Sequence, residues 1–163
     1  QQEEKRLMRT QHLGHVVLYV RNLQRSLSFY RDLMGLEAAG ETFNGRACIL
    51  SSGRTHHELL LLEVGDAPPP PRGRRIGLYH VGWCIGDSDD DLRAAKAQLE
   101  AAGIEIEGMS DHWISHSLYL RDPDGNEIEL YVDVPDYDWS ARKEWLHEPV
   151  RPLYLGEPGP NEN

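Results

Sequence analysis

The chain has 163 residues, 39% of them hydrophobic, enough for one domain or for two small modules sharing a core and too apolar for a disordered polymer. Its 17 basic and 27 acidic residues leave a net charge of −10, which repels nucleic-acid phosphates and anionic membrane surfaces. The longest strongly apolar run, Leu59 to Leu62, falls far short of the ~20 residues of a membrane span, and Gln1 to Arg6 do not read as a secretory signal. A soluble, cytoplasmic protein with a small-molecule partner is expected. Cys48 and Cys84 make neither a disulfide framework nor a paired zinc motif.

Residues 1–12 form a polar lead-in. Leu13 to Val20 is β-branched and aromatic enough for a strand, with His15 at its start. Asn22 is a plausible N-cap, and Leu23, Leu27, Tyr30 and Met34 recur at helical spacing until Gly35, a good terminator. Short strands are then expected near Leu36 to Glu41, Arg46 to Ser51 and His57 to Val64, with Asn44-Gly45 and Ser52-Gly53 in the turns. Residues 13–66 make one module. The stretch 67–76, with Pro68 to Pro71 and Arg72, Arg74 and Arg75, is a stiff connector whose arginines read as a solvated loop unless they converge on an anion site.

The order then repeats over 77–135. Tyr79 to Ile85 is a strand with His80 near its start, and Ser88 to Ala102 is a helix that Gly103 ends. Asp89, Asp90 and Asp91 crowd the first turn, where they complement the helix dipole, and Leu92, Ala95, Leu99 and Ala102 form its buried stripe. A short strand is expected at Ile104 to Glu107. Ser117 to Asp133 is a hairpin around Asp122-Pro123-Asp124-Gly125-Asn126, because Pro123 presets φ and Gly125 accepts positive φ. Period-2 alternation puts Glu127, Glu129 and Tyr131 on one face and Ile128, Leu130 and Val132 on the other, which should pack on a helix. The two halves are both β-α-β-β-β, and His15 and His80 open them at matched positions, so the duplication is visible within one sequence.

These residues carry a resemblance. Leu-Gly-His-Val-Val from Leu13, the run Asn22 to Leu36, Leu-Tyr-His-Val from Leu78 and the run Leu120 to Tyr131 resemble the vicinal oxygen chelate superfamily of glyoxalases, bleomycin-binding proteins and extradiol dioxygenases. The resemblance implies an α+β fold of two tandem βαβββ modules, forming a U-shaped mixed β-sheet around a divalent metal. It puts the metal ligands at His15, His80 and Glu129. Taken singly, each histidine is more often a satisfied structural residue; together they make a two-imidazole, one-carboxylate set that suits non-haem Fe(II), with Mn(II) as the alternative metal.

Within the superfamily the likeness is greatest to small extradiol dioxygenases, which open catechol-type diols with O2. That comparison assigns acid-base catalysis to His57, with His56 pointing to the opposite face of its strand. It makes Tyr119, ten residues before Glu129, a further active-site residue, and His112 the substrate-binding histidine, with His116 as fallback. A glyoxalase-like isomerase is the competing reading and would recruit Glu63 as a fourth ligand; a metal-free antibiotic-binding module is another, with no need for the three ligands together. Residues 136–163 form a C-terminal extension with a short helix near Arg142 to His147 and a flexible end from Pro158. Trp139, Trp145 and Tyr154 could cover a pocket mouth or pack outside the sheet. Assembly into a homo-oligomer is compatible with the resemblance.

Overall fold

The computed structural model describes residues 8–156, so the expected flexible end from Pro158 lies outside the described residues. The fold is α+β, with two mixed sheets and few helices. The chain divides into two compact units, residues 1–66 and 67–163. Among the described residues no helix is long and apolar enough to cross a membrane.

In the first unit, β1 (Val16–Val20), β2 (Glu37–Thr42), β3 (Ala47–Ser51) and β4 (Leu59–Glu63) make a four-stranded sheet in the order β1-β4-β3-β2. β1 and β4 are parallel, while β2, β3 and β4 pair antiparallel. Parallel neighbours need a long crossover, and the helix after β1 begins it. Asn22 caps that helix, accepting from the Arg25 amide at 2.9 Å. Only Leu23–Leu27 (α1) is α-helical; Ser28–Leu33 widens into a π-helix, in which the Met34 amide donates to the Phe29 carbonyl five residues back. The wider turn moves the phase of the apolar stripe. Leu23, Leu27 and Tyr30 are buried as expected, but Met34 is only half-buried. Gly35 ends the helix at φ +82°.

In the second unit, β5 (His80–Gly86), α2 (Asp89–Ala101), β6 (Gly108–Asp111), β7 (Ser115–Arg121) and β8 (Glu127–Asp133) repeat the order, and the sheet runs β5-β8-β7-β6-β9. Again the first strand pairs in parallel with the last of its module, β5 with β8. α2 starts on a capping box between Ser88 and Asp91. The Asp87 amide, with help from Ser88, holds the Asp91 carboxyl below the usual carboxylate range. The acidic run thus has a structural task at the helix start. Leu92 and Leu99 are buried, whereas Ala102 is exposed.

Ile104 to Glu107 do not form the expected strand. The Ile104 amide still donates to the Leu99 carbonyl, closing the end of α2 over Gly103, so the ladder begins only at Gly108. The β7–β8 turn is held by Asp122, whose Oδ1 accepts from the amides of Asp124 (2.9 Å) and Asn126 (2.8 Å). In β8, Ile128, Leu130 and Val132 are buried on the side of α2, as the alternation predicts. The C-terminal extension contributes α3 (Glu144–His147) and then β9 (Arg151–Pro152), which adds itself antiparallel to the edge of β6. Arg151 fixes that edge by pairing with Asp111 at 2.6 Å and lying 3.6 Å above the Trp113 ring.

Candidate metal centre

In the second unit the side chains of β5, β7 and β8 that point away from α2 form one polar face. His80 is registered against Glu127, Gly82 against Glu129, and Glu129 against Tyr119. Strand alternation therefore gathers His80, Glu127, Glu129, Tyr119, Ser117 and Arg121 on the same side. The His80 ring stands between the two carboxylates. Its Nδ1 lies 3.1 Å from Glu127 Oε2, and its Nε2 lies 3.0 Å from Glu129 Oε2. With a metal held at Nε2, the ring proton would stay on Nδ1, where Glu127 can accept it, which is how metal-binding histidines are commonly oriented.

Glu129 is divided in the same way. Its Oε1 accepts hydrogen bonds from Ser117 Oγ at 2.6 Å and from the Tyr119 hydroxyl at 3.0 Å. Its Oε2 is left facing His80 across the space above Gly82. A Cβ at position 82 would lie 3.3 Å from that Oε2, so the glycine is what lets the carboxylate lie over β5. One imidazole nitrogen and one carboxylate oxygen thus stand side by side, each with its other heteroatom already satisfied. Their donor chemistry fits a divalent cation.

Tyr119 extends the site. Because its single proton goes to Glu129, the 2.6 Å contact with His112 Nε2 is one in which His112 donates to the phenol oxygen. Burial first, and then the charge of Glu129, push the Tyr119 phenol well above its ordinary value, so it remains a donor throughout the physiological range. His112 sits just past β6, in a turn where Trp113 takes φ +71°. His116, the fallback, faces α2 and bonds to Asp89 at 2.6 Å. The structure brings His112, and not His116, to Tyr119.

The first unit holds His15 and His57, whose ring centroids are 4.5 Å apart. His15 immediately precedes β1. His57 is not on β4, which begins at Leu59, and His56 does not point to an opposite face: the two rings lie side by side with their Nδ1 atoms 2.5 Å apart. Alternation fails there because 52–58 is a loop, tied by Ser52 to Glu58 (2.7 and 2.9 Å) and by Ser51 to the Thr55 carbonyl (2.6 Å). Partial desolvation, then His15 and His56, lower the basicity of His57 below that of an ordinary imidazole. Glu63 accepts from the Leu23 amide at 2.7 Å and so serves the start of α1. Among the described residues no group of three or more His, Cys, Asp or Glu side chains is arranged to hold a metal ion: Glu127 lies on the Nδ1 side of His80, away from the His80 Nε2 and Glu129 Oε2 pair.

Sequence reasoning put Glu127 on the right face without giving it a task, and passed over Gly82 and Ser117. Two signals were present: Glu127 is in phase with Glu129, and a glycine two residues after a candidate ligand in a strand marks a close approach.

The model of the Glyoxalase/Bleomycin resistance protein/Dioxygenase superfamily matches residues 12–130. A catechol-2,3-dioxygenase of Bacillus subtilis is 38% identical over 133 residues, covering 82% of this chain and 45% of that protein, so the chain spans less than half of that relative. Biphenyl-2,3-diol 1,2-dioxygenase 3 of Rhodococcus globerulus is 33% identical over 151 residues, covering 89% of this chain and 78% of that one. Among solved structures, a lactoylglutathione lyase from Agrobacterium tumefaciens superposes with a TM-score of 0.57 at 30% identity, covering 76% of this chain and 94% of that one. With a duplicated β-α-β-β-β order, a parallel pair of first and last strands in each unit and these relatives, the chain belongs to the Glyoxalase/Bleomycin resistance protein/Dioxygenase superfamily.

Proposed function

We propose that the protein is a non-haem Fe(II)-dependent extradiol dioxygenase that opens a catechol-type aromatic diol with O2. The observation that carries this reading is the pairing of His80 Nε2 with Glu129 Oε2 beside the Tyr119–His112 hydrogen bond, on one sheet face. His80 and Glu129 would hold the metal, and the resemblance adds His15 as the third donor; Mn(II) suits the same donors. A divalent metal there supplies Lewis acidity and neighbouring coordination positions for a vicinal diol.

The chain's own residues do the rest. Glu127 keeps the His80 proton on Nδ1, and Ser117 holds Glu129 in place. Tyr119 and His112, which bond to Glu129 and to each other, would exchange those bonds for bonds to the oxygens of a bound diol and so orient it. His57 is the acid-base group. Its Nδ1 is taken up by His56 and its basicity is lowered, so a neutral Nε2 is available to accept a diol proton and later return it. A glyoxalase-like isomerase would need Glu63, whose carboxylate already serves α1.

Metal analysis of the purified protein, followed by Fe(II) reconstitution and assay with catechol and labelled dioxygen, tests the reading. Stoichiometric iron and a yellow ring-opened aldehyde retaining both labelled oxygen atoms are expected. Nickel or zinc with isomerisation of a hemithioacetal, or no metal with tight binding of an antibiotic, would overturn it. His57→Ala should retain iron and lose ~10²–10⁴-fold in turnover; unchanged turnover removes His57 from the mechanism.

A further inference from the structure

Two of the connector's three arginines, Arg74 and Arg75, meet Arg121 at one cavity, while Arg72 stands 3.9 Å from Glu107. In the second unit a cavity of about 570 Å³ is lined by Gly73, Arg74, Arg75, Tyr79, Arg121 and Glu127. Its size suits a small organic ligand. Three arginines and a single glutamate line it, on a chain whose net charge is −10. That carboxylate is spoken for, since Glu127 accepts from Arg121 at 3.3 Å as well as from His80. Arg121 is also neutralised by Glu107 at 2.9 Å. Arg75 spends its donors on the neutral carbonyls of Gly73 (3.3 Å) and Leu78 (2.9 Å), and Arg74 has no side-chain partner among the described residues. Two positive charges therefore remain uncompensated at the cavity wall, next to the exposed ring of Tyr79.

The cavity adjoins the candidate metal centre directly. Tyr79 precedes His80, with ring centroids 4.7 Å apart, and Glu127 touches both the cavity and the His80 ring. Along the sheet face, the row of Arg121 and Glu127 follows the row of Tyr119 and Glu129 by one strand repeat, about 7 Å. That is the reach of an aromatic ring carrying a short acidic arm.

Resting on the ring-cleavage reading above, we infer that the substrate is an aromatic diol bearing a carboxylate, whose anionic arm is held by Arg74 and Arg75 with Tyr79 as an aromatic wall. Planar guanidinium groups suit a carboxylate because they present paired donors to its two oxygens. An uncharged diol would occupy the same centre and leave this cavity unused.

The test compares 3,4-dihydroxyphenylacetate with 4-methylcatechol on the Fe(II)-reconstituted protein, and measures binding of phenylacetate by calorimetry. A charge-assisted contact of this kind contributes about tenfold or more. The carboxylated diol should be preferred by at least about tenfold in kcat/KM, and the preference should shrink with added salt. Arg74→Glu should cancel it through KM and abolish phenylacetate binding, with 4-methylcatechol turnover within about twofold of wild type, and Arg75→Lys should keep part of it. Arg74 is exposed and has no side-chain partner among the described residues, so its replacement should leave the fold intact. Equal kcat/KM for the two diols, unaltered by Arg74→Glu, overturns the anion site and leaves ring cleavage standing. Arginine-dependent phenylacetate binding with neither diol opened upholds the anion site and overturns ring cleavage; no binding and no cleavage overturns both.

Discussion

The two units share one strand order yet differ in what their matched positions carry. Registering β1 on β4 and β5 on β8 sets Val17 against Leu60 and Gly82 against Glu129; two residues back His80 pairs with Glu127, and extending the β1–β4 register by one residue beyond Val16 and Leu59 puts His15 against Glu58. So Leu60 stands where the second unit has Glu129, Val17 where it has Gly82, and Glu58 where it has Glu127. Glu58 does not turn to a histidine. It is drawn to Ser52 and Arg54, whose bonds hold its carboxyl below the usual range against partial desolvation. Duplication thus fixed the backbone in both halves, while only the second half combined the glycine, the carboxylate and the oriented imidazole. A repeat visible in sequence locates equivalent positions without making them equivalent in chemistry.

The largest effect should come from removing what the first unit lacks. Glu129→Ala and His80→Ala each take away one of the two donors set side by side in the second unit, so iron should no longer copurify, while Glu58→Ala, the register counterpart of Glu127, should keep full iron content. Plasma emission analysis of the folded proteins reads this out. Iron retained at full stoichiometry in both ligand variants would sink the assignment.

A smaller effect is expected from making the second unit resemble the first. Gly82→Val introduces the residue found at position 17, and its Cβ would crowd Glu129 Oε2 at 3.3 Å. Glu127→Gln leaves the His80 ring without the carboxylate that sets its tautomer. Losses of orienting groups of this kind weaken metal affinity by about 10–100-fold. Competition with a metallochromic chelator measures it, and an affinity within twofold of wild type for both variants would deny these residues any part in positioning the donors.

Legibility followed the periodic signals. The apolar side of β8, the α2 stripe through Leu92 and Leu99, and the shared face of Glu127 and Glu129 could all be read because strand and helix periods alone determine them, whereas His80 and Tyr119 were joined to Glu129 only through the resemblance. What resisted reading depended on local geometry that interrupts a period. The π-turn at Ser28–Leu33 moved Met34 out of its stripe, the loop before β4 put His56 beside His57, and β9 is a two-residue strand that only a pre-existing edge can recruit. The connector arginines were legible as charges but not as a cavity, because convergence with Arg121 depends on a fold that joins residues far apart in the chain.

The smallest predicted effect concerns Glu63, and it tests whether the first unit contributes a carboxylate to chemistry or to folding. An acidic side chain accepting from the first amide of a helix acts like an N-cap and complements the helix dipole, and Glu63 does so for α1 from the end of β4. Asn22 already binds the Arg25 amide, so removing Glu63 leaves one helix-start amide unpaired without dismantling the cap. The expected cost is about 1 kcal/mol, which for a chain of this size lowers Tm by roughly 2–4 °C. Iron content and turnover with a catechol should be unchanged in Glu63→Ala. Differential scanning calorimetry beside metal analysis gives the decision: a small drop in Tm with metal intact is the signature of a helix cap, whereas loss of metal at unchanged Tm would return Glu63 to the ligand set and favour the isomerase.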